Sequence, residues 1–84
     1  MHYVYILYNK NSKKFYIGYT KNLEERILRH KFAKLAHRNK NHELIFYEAY
    51  KNKTDAIRRE KYLKTTKGRT TLKLMLAETL KSTK

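Results

Sequence analysis

K-K-F-Y-I-G-Y-T, Lys13 to Thr20, holds one of only two glycines in an 84-residue chain. The stretch otherwise reads as a strand of aromatic and β-branched residues. Glycine inside a strand weakens it and marks a bulge or a close approach. The residues before it, Y-V-Y-I-L-Y at Tyr3 to Tyr8, have the same strand character, and the turn-rich N-K-N-S-K-K lies between. Residues 3–19 therefore predict a β-hairpin with a long loop. Pairing Tyr8 with Phe15 fixes the register by alternation. Val4, Ile6, Tyr8, Phe15, Ile17 and Tyr19 then share one apolar face that calls for a covering helix. Tyr3, Tyr5, Leu7, Tyr16 and Gly18 share the other. Gly18 falls opposite Tyr5 with Tyr16 on the diagonal, so the absent side chain leaves a notch beside two phenols. A bulge is the structural alternative.

Outward from the hairpin, Asn22 is placed to cap a helix running to about Leu35, with Glu24 and Glu25 in its first turn. The polar A-H-R-N-K-N-H is a loop, and L-I-F-Y-E-A-Y, residues 44–50, is a third strand. Thr54 is placed to cap a second helix that Gly68 closes. Residues 70–81 form a last helix with Leu72, Met75, Leu76 and Leu80 at core spacing. The order ββαβαα predicts a single α+β domain over residues 1–84, a small three-stranded antiparallel sheet flanked by helices.

Composition narrows the chemistry. With no cysteine, disulfides, zinc–thiolate sites and thiol nucleophiles are excluded. No apolar run approaches the roughly 20 residues that span a bilayer, and the N-terminus has no signal-peptide core. A cytoplasmic, non-membrane domain is expected. Twenty-one Lys and Arg against seven Asp and Glu give a formal charge of +14. Such a field attracts polyanions, and nucleic acid is the expected partner. The cations are spread along the chain and interleaved with eight tyrosines, unlike the single basic helix of a lipid anchor.

Among the acids, Glu60 stands out. Ala56, Ile57 and Leu63 form the apolar stripe of its helix, and Glu60 lies at the stripe's centre. An inward carboxylate requires a partner. That partner is either one of the many Lys or Arg side chains, or a single metal ion completed by water and substrate phosphate, as suits Mg²⁺. The scarcity of acids disfavours a two-metal nuclease site. His2, His30, His37 and His42 show no metal spacing. His30 falls one turn after Arg26, where the pair is either a phosphate contact or a solvated face. Spacing alone does not separate Arg26 from Arg29.

Taken in order, these residues resemble the GIY-YIG nuclease superfamily, in particular small stand-alone members similar to the N-terminal catalytic domain of the bacterial excision-repair incision subunit. Y-V-Y, residues 3–5, matches the first half-motif, with Tyr3 in place of Gly. Y-I-G, residues 16–18, matches the second, with ten residues between Tyr5 and Tyr16. N-L-E-E-R-I-L-R-H places Arg26 ten residues after Tyr16 and His30 four further on. A-I-R-R-E-K-Y-L-K carries Glu60, and K-G-R-T-T-L-K closes the match. The late Asn of some members has no counterpart after Gly68.

The resemblance implies one divalent ion, Mg²⁺ or Mn²⁺, held by Glu60, no small-molecule cofactor, and Arg26 as the phosphate-binding arginine. It further implies hydrolysis of DNA phosphodiesters by in-line attack of water, with catalytic residues Tyr5, Tyr16, Arg26, His30 and Glu60. Tyr5 is the expected base for the water, directly or by orienting it, its phenol lowered by a neighbouring cation; Tyr16 positions the water or the phosphate, His30 is a helper or alternative proton carrier, and Gly18 leaves room beside them. The chain is too small for an added recognition module, so a structure-selective endonuclease, linked to DNA repair or processing, is expected. The competing readings are a non-catalytic or weakly active nucleic-acid-binding module of the same fold, and an RNA-associated protein without catalysis.

Overall fold

The apolar run that follows Met1 forms β1, His2–Asn9, and the chain returns antiparallel as β2, Lys14–Thr20. The computed structural model describes residues 1–32 and 42–82. The hairpin register is the expected one: Tyr8 faces Phe15, and Tyr5 faces Gly18. The loop is only Lys10 to Lys13, tighter than anticipated, because Asn9 ties it from both sides. Its side-chain Oδ1 accepts from the Asn11 and Ser12 amides at 2.9 and 3.1 Å, and its carbonyl accepts from the Lys13 amide at 2.7 Å. Lys13 takes a left-handed backbone, φ 58°.

α1, Leu23–Phe32, starts where Asn22 predicts: the Asn22 side chain accepts from the Glu25 amide at 3.0 Å. The expected extension of this helix to Leu35, and the loop that follows, lie outside the described residues. β3, His42–Tyr50, begins two residues before the predicted strand and pairs with β1, giving the order β2-β1-β3. A register shift between Ile6 and Leu7 leaves a bulge at Ile45. β1 is thus the central strand, and Val4, Tyr5, Ile6 and Leu7 are buried on both of its faces.

α2, Lys53–Leu63, is capped by Asn52 rather than Thr54. Both are good caps by type. Asn52 has the extended backbone, and its side chain accepts from the amides of Thr54 and Asp55. Ala56 and Leu63 of α2 join Val4, Ile6 and Ile17 in the core. The predicted covering helix therefore lies on the expected face of the sheet.

The helical tail departs from its prediction. Gly68 does not end α2; it lies inside α3, Thr66–Met75, whose cap is Thr65 with its side chain bound to the Gly68 amide. A Cβ at Gly68 would overlap the Tyr62 carbonyl and stand 2.6 Å from Leu63 Cα. The glycine is needed because α3 folds back against the end of α2, a tertiary constraint rather than a stop signal. The predicted continuous helix breaks after Leu76, and a short α4 follows, Ala77–Ser82. Gly68, Leu72 and Leu76 form the buried ridge, while Met75 is 45% exposed and does not join the core.

Gly68→Ala is expected to destabilise the fold by about 1–3 kcal/mol, since backbone atoms cannot yield to the new methyl. Thermal unfolding checks this; an unchanged midpoint would contradict the α2–α3 contact.

Candidate active site

The Tyr5 ring lies across Gly18. A Cβ there would overlap the Tyr5 phenol end and stand 2.8 Å from its Cε1. The notch expected from the sequence is thus filled by the protein's own tyrosine. Because Tyr5 is fully buried, the ring has no free path of retreat. Tyr16 lies beside it, ring centroids 6.3 Å apart, and is 45% exposed. Tyr47 of β3 faces Tyr5 across the strand pair, is half exposed, and meets Tyr3 edge-on at 6.1 Å. Tyr47 was not singled out by the sequence, because its place depends on the β1–β3 register.

Arg26 of α1 donates to the Tyr5 hydroxyl from Nη1 at 3.4 Å. This contact separates two arginines that spacing leaves equivalent. Arg29 is committed to Glu25 at 2.7 Å, Arg58 to Asp55 at 3.4 Å, and Arg59 to Glu48 at 3.0 Å. Arg26 is half-buried and has no carboxylate partner among the described residues. A guanidinium whose bond is to a neutral phenol keeps donor capacity for an anion.

The expectation that a cation lowers the Tyr5 pKa is corrected. Burial raises it, and although the Arg26 hydrogen bond and charge act in the expected direction, burial prevails; Tyr16 adds to the rise. The raised pKa favours the protonated phenol at neutral pH, which keeps a hydrogen-bonding proton.

Glu60 comes from α2, its side chain only 17% exposed and ion-paired with Lys64 at 3.3 Å. Lys64 is thus one partner of this inward carboxylate. The i,i+4 spacing that makes the pair is readable in the sequence. Among the described residues no group of three or more His, Cys, Asp or Glu is placed to hold a metal. A cation here would thus have one protein carboxylate and take its other ligands from water and phosphate, a donor set that suits Mg²⁺. His30 sits on α1 one turn beyond Arg26; its side chain lies outside the described residues, as does His37.

The model of the GIY-YIG catalytic domain matches residues 1–73. The chain belongs to the GIY-YIG family. It is 38% identical over 77 residues to a UPF0213 protein of Staphylococcus haemolyticus, covering 88% of this chain and 93% of that one. It is 36% identical over 84 residues to a UPF0213 protein of Clostridium perfringens, covering 96% and 89%. No solved structure matches it. As a GIY-YIG protein the chain stands among nucleases, whose substrate is nucleic acid. No described helix is long and apolar enough to cross a membrane.

Two predictions follow the geometry of this site. Gly18→Ala is expected to cost about 1–3 kcal/mol by crowding Tyr5, and most of that cost should vanish when Tyr5 is also shortened to Leu. A double-mutant cycle measures it, and additive effects would refute the contact. The second concerns pH. Burial also raises Tyr50, to about 12, with help from its bond to Glu48. Unfolded tyrosines lose their protons near pH ~10, before the folded ones do. Stability from these two groups is therefore full below about pH 10 and falls at higher pH, for Tyr50 as pH rises through about 12 and for Tyr5 as pH rises through its own raised value. Denaturant titrations at alkaline pH should show this slope, flattened in Tyr50→Phe and Tyr5→Phe.

Proposed function

We propose that this GIY-YIG protein is a metal-dependent endonuclease that hydrolyses DNA phosphodiesters and selects its substrate by structure rather than by sequence. The observation that carries the reading is Arg26: a half-buried guanidinium hydrogen-bonded to the hydroxyl of a buried tyrosine and without a carboxylate partner among the described residues. A phosphate is the group that completes it, through the forked donors of the guanidinium.

In the reaction, water attacks phosphorus in line, and the bond to the 3′-oxygen breaks. Arg26 neutralises the charge that gathers on the non-bridging oxygens. Tyr5, protonated and fixed over Gly18, orients Arg26 and the phosphate. Tyr16, 45% exposed beside Tyr5, positions the attacking water. With Tyr5 held protonated, the proton of that water passes to His30, an imidazole one turn from Arg26 and the usual carrier near neutral pH. Glu60 would hold a single Mg²⁺ or Mn²⁺, which supplies Lewis-acid stabilisation of the phosphate and the departing oxygen. Lys64 must then give up Glu60 or share it, which its exposed position permits. A role in DNA repair or processing and a cytoplasmic location complete the proposal.

The Lys64–Glu60 pair and the raised Tyr5 pKa favour the alternative of a binding module with a silent site. Purified protein, supercoiled plasmid and a branched DNA, with Mg²⁺ or Mn²⁺, decide between them. Glu60→Ala and Arg26→Ala should each lower cleavage by about 10²-fold or more while keeping most of the affinity. Cutting at the wild-type rate in either variant would refute the mechanism, and binding without metal-dependent cutting would favour the silent module.

A further inference from the structure

A second feature lies away from Tyr5 and Arg26. Lys13 and Lys14 of the hairpin, Phe15, and Arg69 and Lys73 of α3 line a groove of about 400 Å³. Phe15 is half-buried and packs against the core, giving an apolar floor, while the four cations around it are exposed. None of the four takes part in an ion pair among the described residues, and no acid lines the groove. Five of the seven acids are paired with cations elsewhere.

Two local costs keep these charges in place. Lys13 adopts a left-handed backbone, φ 58°, a conformation a glycine would take without strain. Arg69 and Lys73 are like charges at i,i+4 on one helix, a spacing that destabilises. A solubilising surface needs neither arrangement. Both make sense where the cations face a shared anion, which relieves the repulsion and uses the rigid Asn9-tied turn to hold Lys13 in position.

We propose that the groove between the hairpin and α3 is a nucleic-acid backbone track, in which Lys13, Lys14, Arg69 and Lys73 contact successive phosphates. The class of ligand rests on the nuclease reading; the placement rests on the groove itself. Phe15 and Ile17 lie on the face of β2 opposite Tyr16 and Gly18, so the track is separate from the tyrosine site. Its contacts are made equally before and during reaction, which strengthens binding without accelerating the bond-breaking step. They carry no base information, in keeping with a substrate recognised by shape.

The test is the salt dependence of binding to a short DNA duplex of unrelated sequence, without divalent metal. Each lost phosphate contact lowers the slope of log K against log salt by about 0.9. The Lys13→Ala/Lys14→Ala/Arg69→Ala/Lys73→Ala variant should therefore lose about 2 to 4 units of slope. A control, Lys21→Ala/Lys51→Ala/Lys53→Ala/Lys61→Ala, removes the same charge from other exposed positions and should lose clearly less. Circular dichroism verifies that both are folded. An unchanged slope, or an equal loss in both variants, overturns the track. Failure of the wild-type protein to cleave would instead count against the nuclease reading and leave the slope comparison intact.

Discussion

The contact of the Tyr5 ring with Gly18 is the constraint around which the rest of the site is arranged. Tyr5 belongs to the central strand, where Val4, Tyr5, Ile6 and Leu7 are buried in succession. A tyrosine on so crowded a strand needs space from its neighbour across the ladder, and only glycine provides it. The ring then closes the face of the sheet that α2 does not cover, and its hydroxyl is delivered to Arg26. Tyr16 and Tyr47, in turn, stand exposed to either side of a fixed point.

A similar economy governs the charges. With few acids in the chain, the pairing of each one decides which cations remain available. Most pairs are exposed neighbours on one helix and add little to stability. Glu48–Arg59 is different: two nitrogens of Arg59 meet the two carboxylate oxygens at 3.0 and 3.2 Å, and the guanidinium lies over the Tyr62 ring at 5.6 Å. That arginine is structural, stitching α2 to β3. Arg26 differs from it in facing a phenol, and this difference in partner, not in residue type, is what the proposed phosphate-binding role of Arg26 rests on.

Much of this was legible in the sequence where the governing rule is local. Strand alternation and the Asn9–Lys14 turn were enough to pair Tyr8 with Phe15 and Tyr5 with Gly18, and Asn22 announced α1. What failed depends on tertiary contact. Gly68 reads as a helix stop because glycine commonly is one, yet here it admits the end of α2 against α3. Asn52 and Thr54 are equivalent as cap types, and only the extended backbone at Asn52 separates them. Met75 fits a helical core stripe, but the helix breaks at Leu76 and the ridge follows Gly68, Leu72 and Leu76. Arg26 and Arg29 differ only in what the fold brings near them.

The error over Tyr5 is the most informative, because the physics was right and the balance wrong. A guanidinium does stabilise a phenolate, but the tyrosine that meets it is fixed by complete burial, and burial disfavours charge more strongly. Rigid placement and easy ionisation are opposed in the same side chain. A tyrosine locked over a glycine is suited to hold a neighbour in position, and the proton is better handled by a group with access to water. On the proposed mechanism, that division gives orientation to the buried strand and proton transfer to His30 of α1, one turn beyond Arg26.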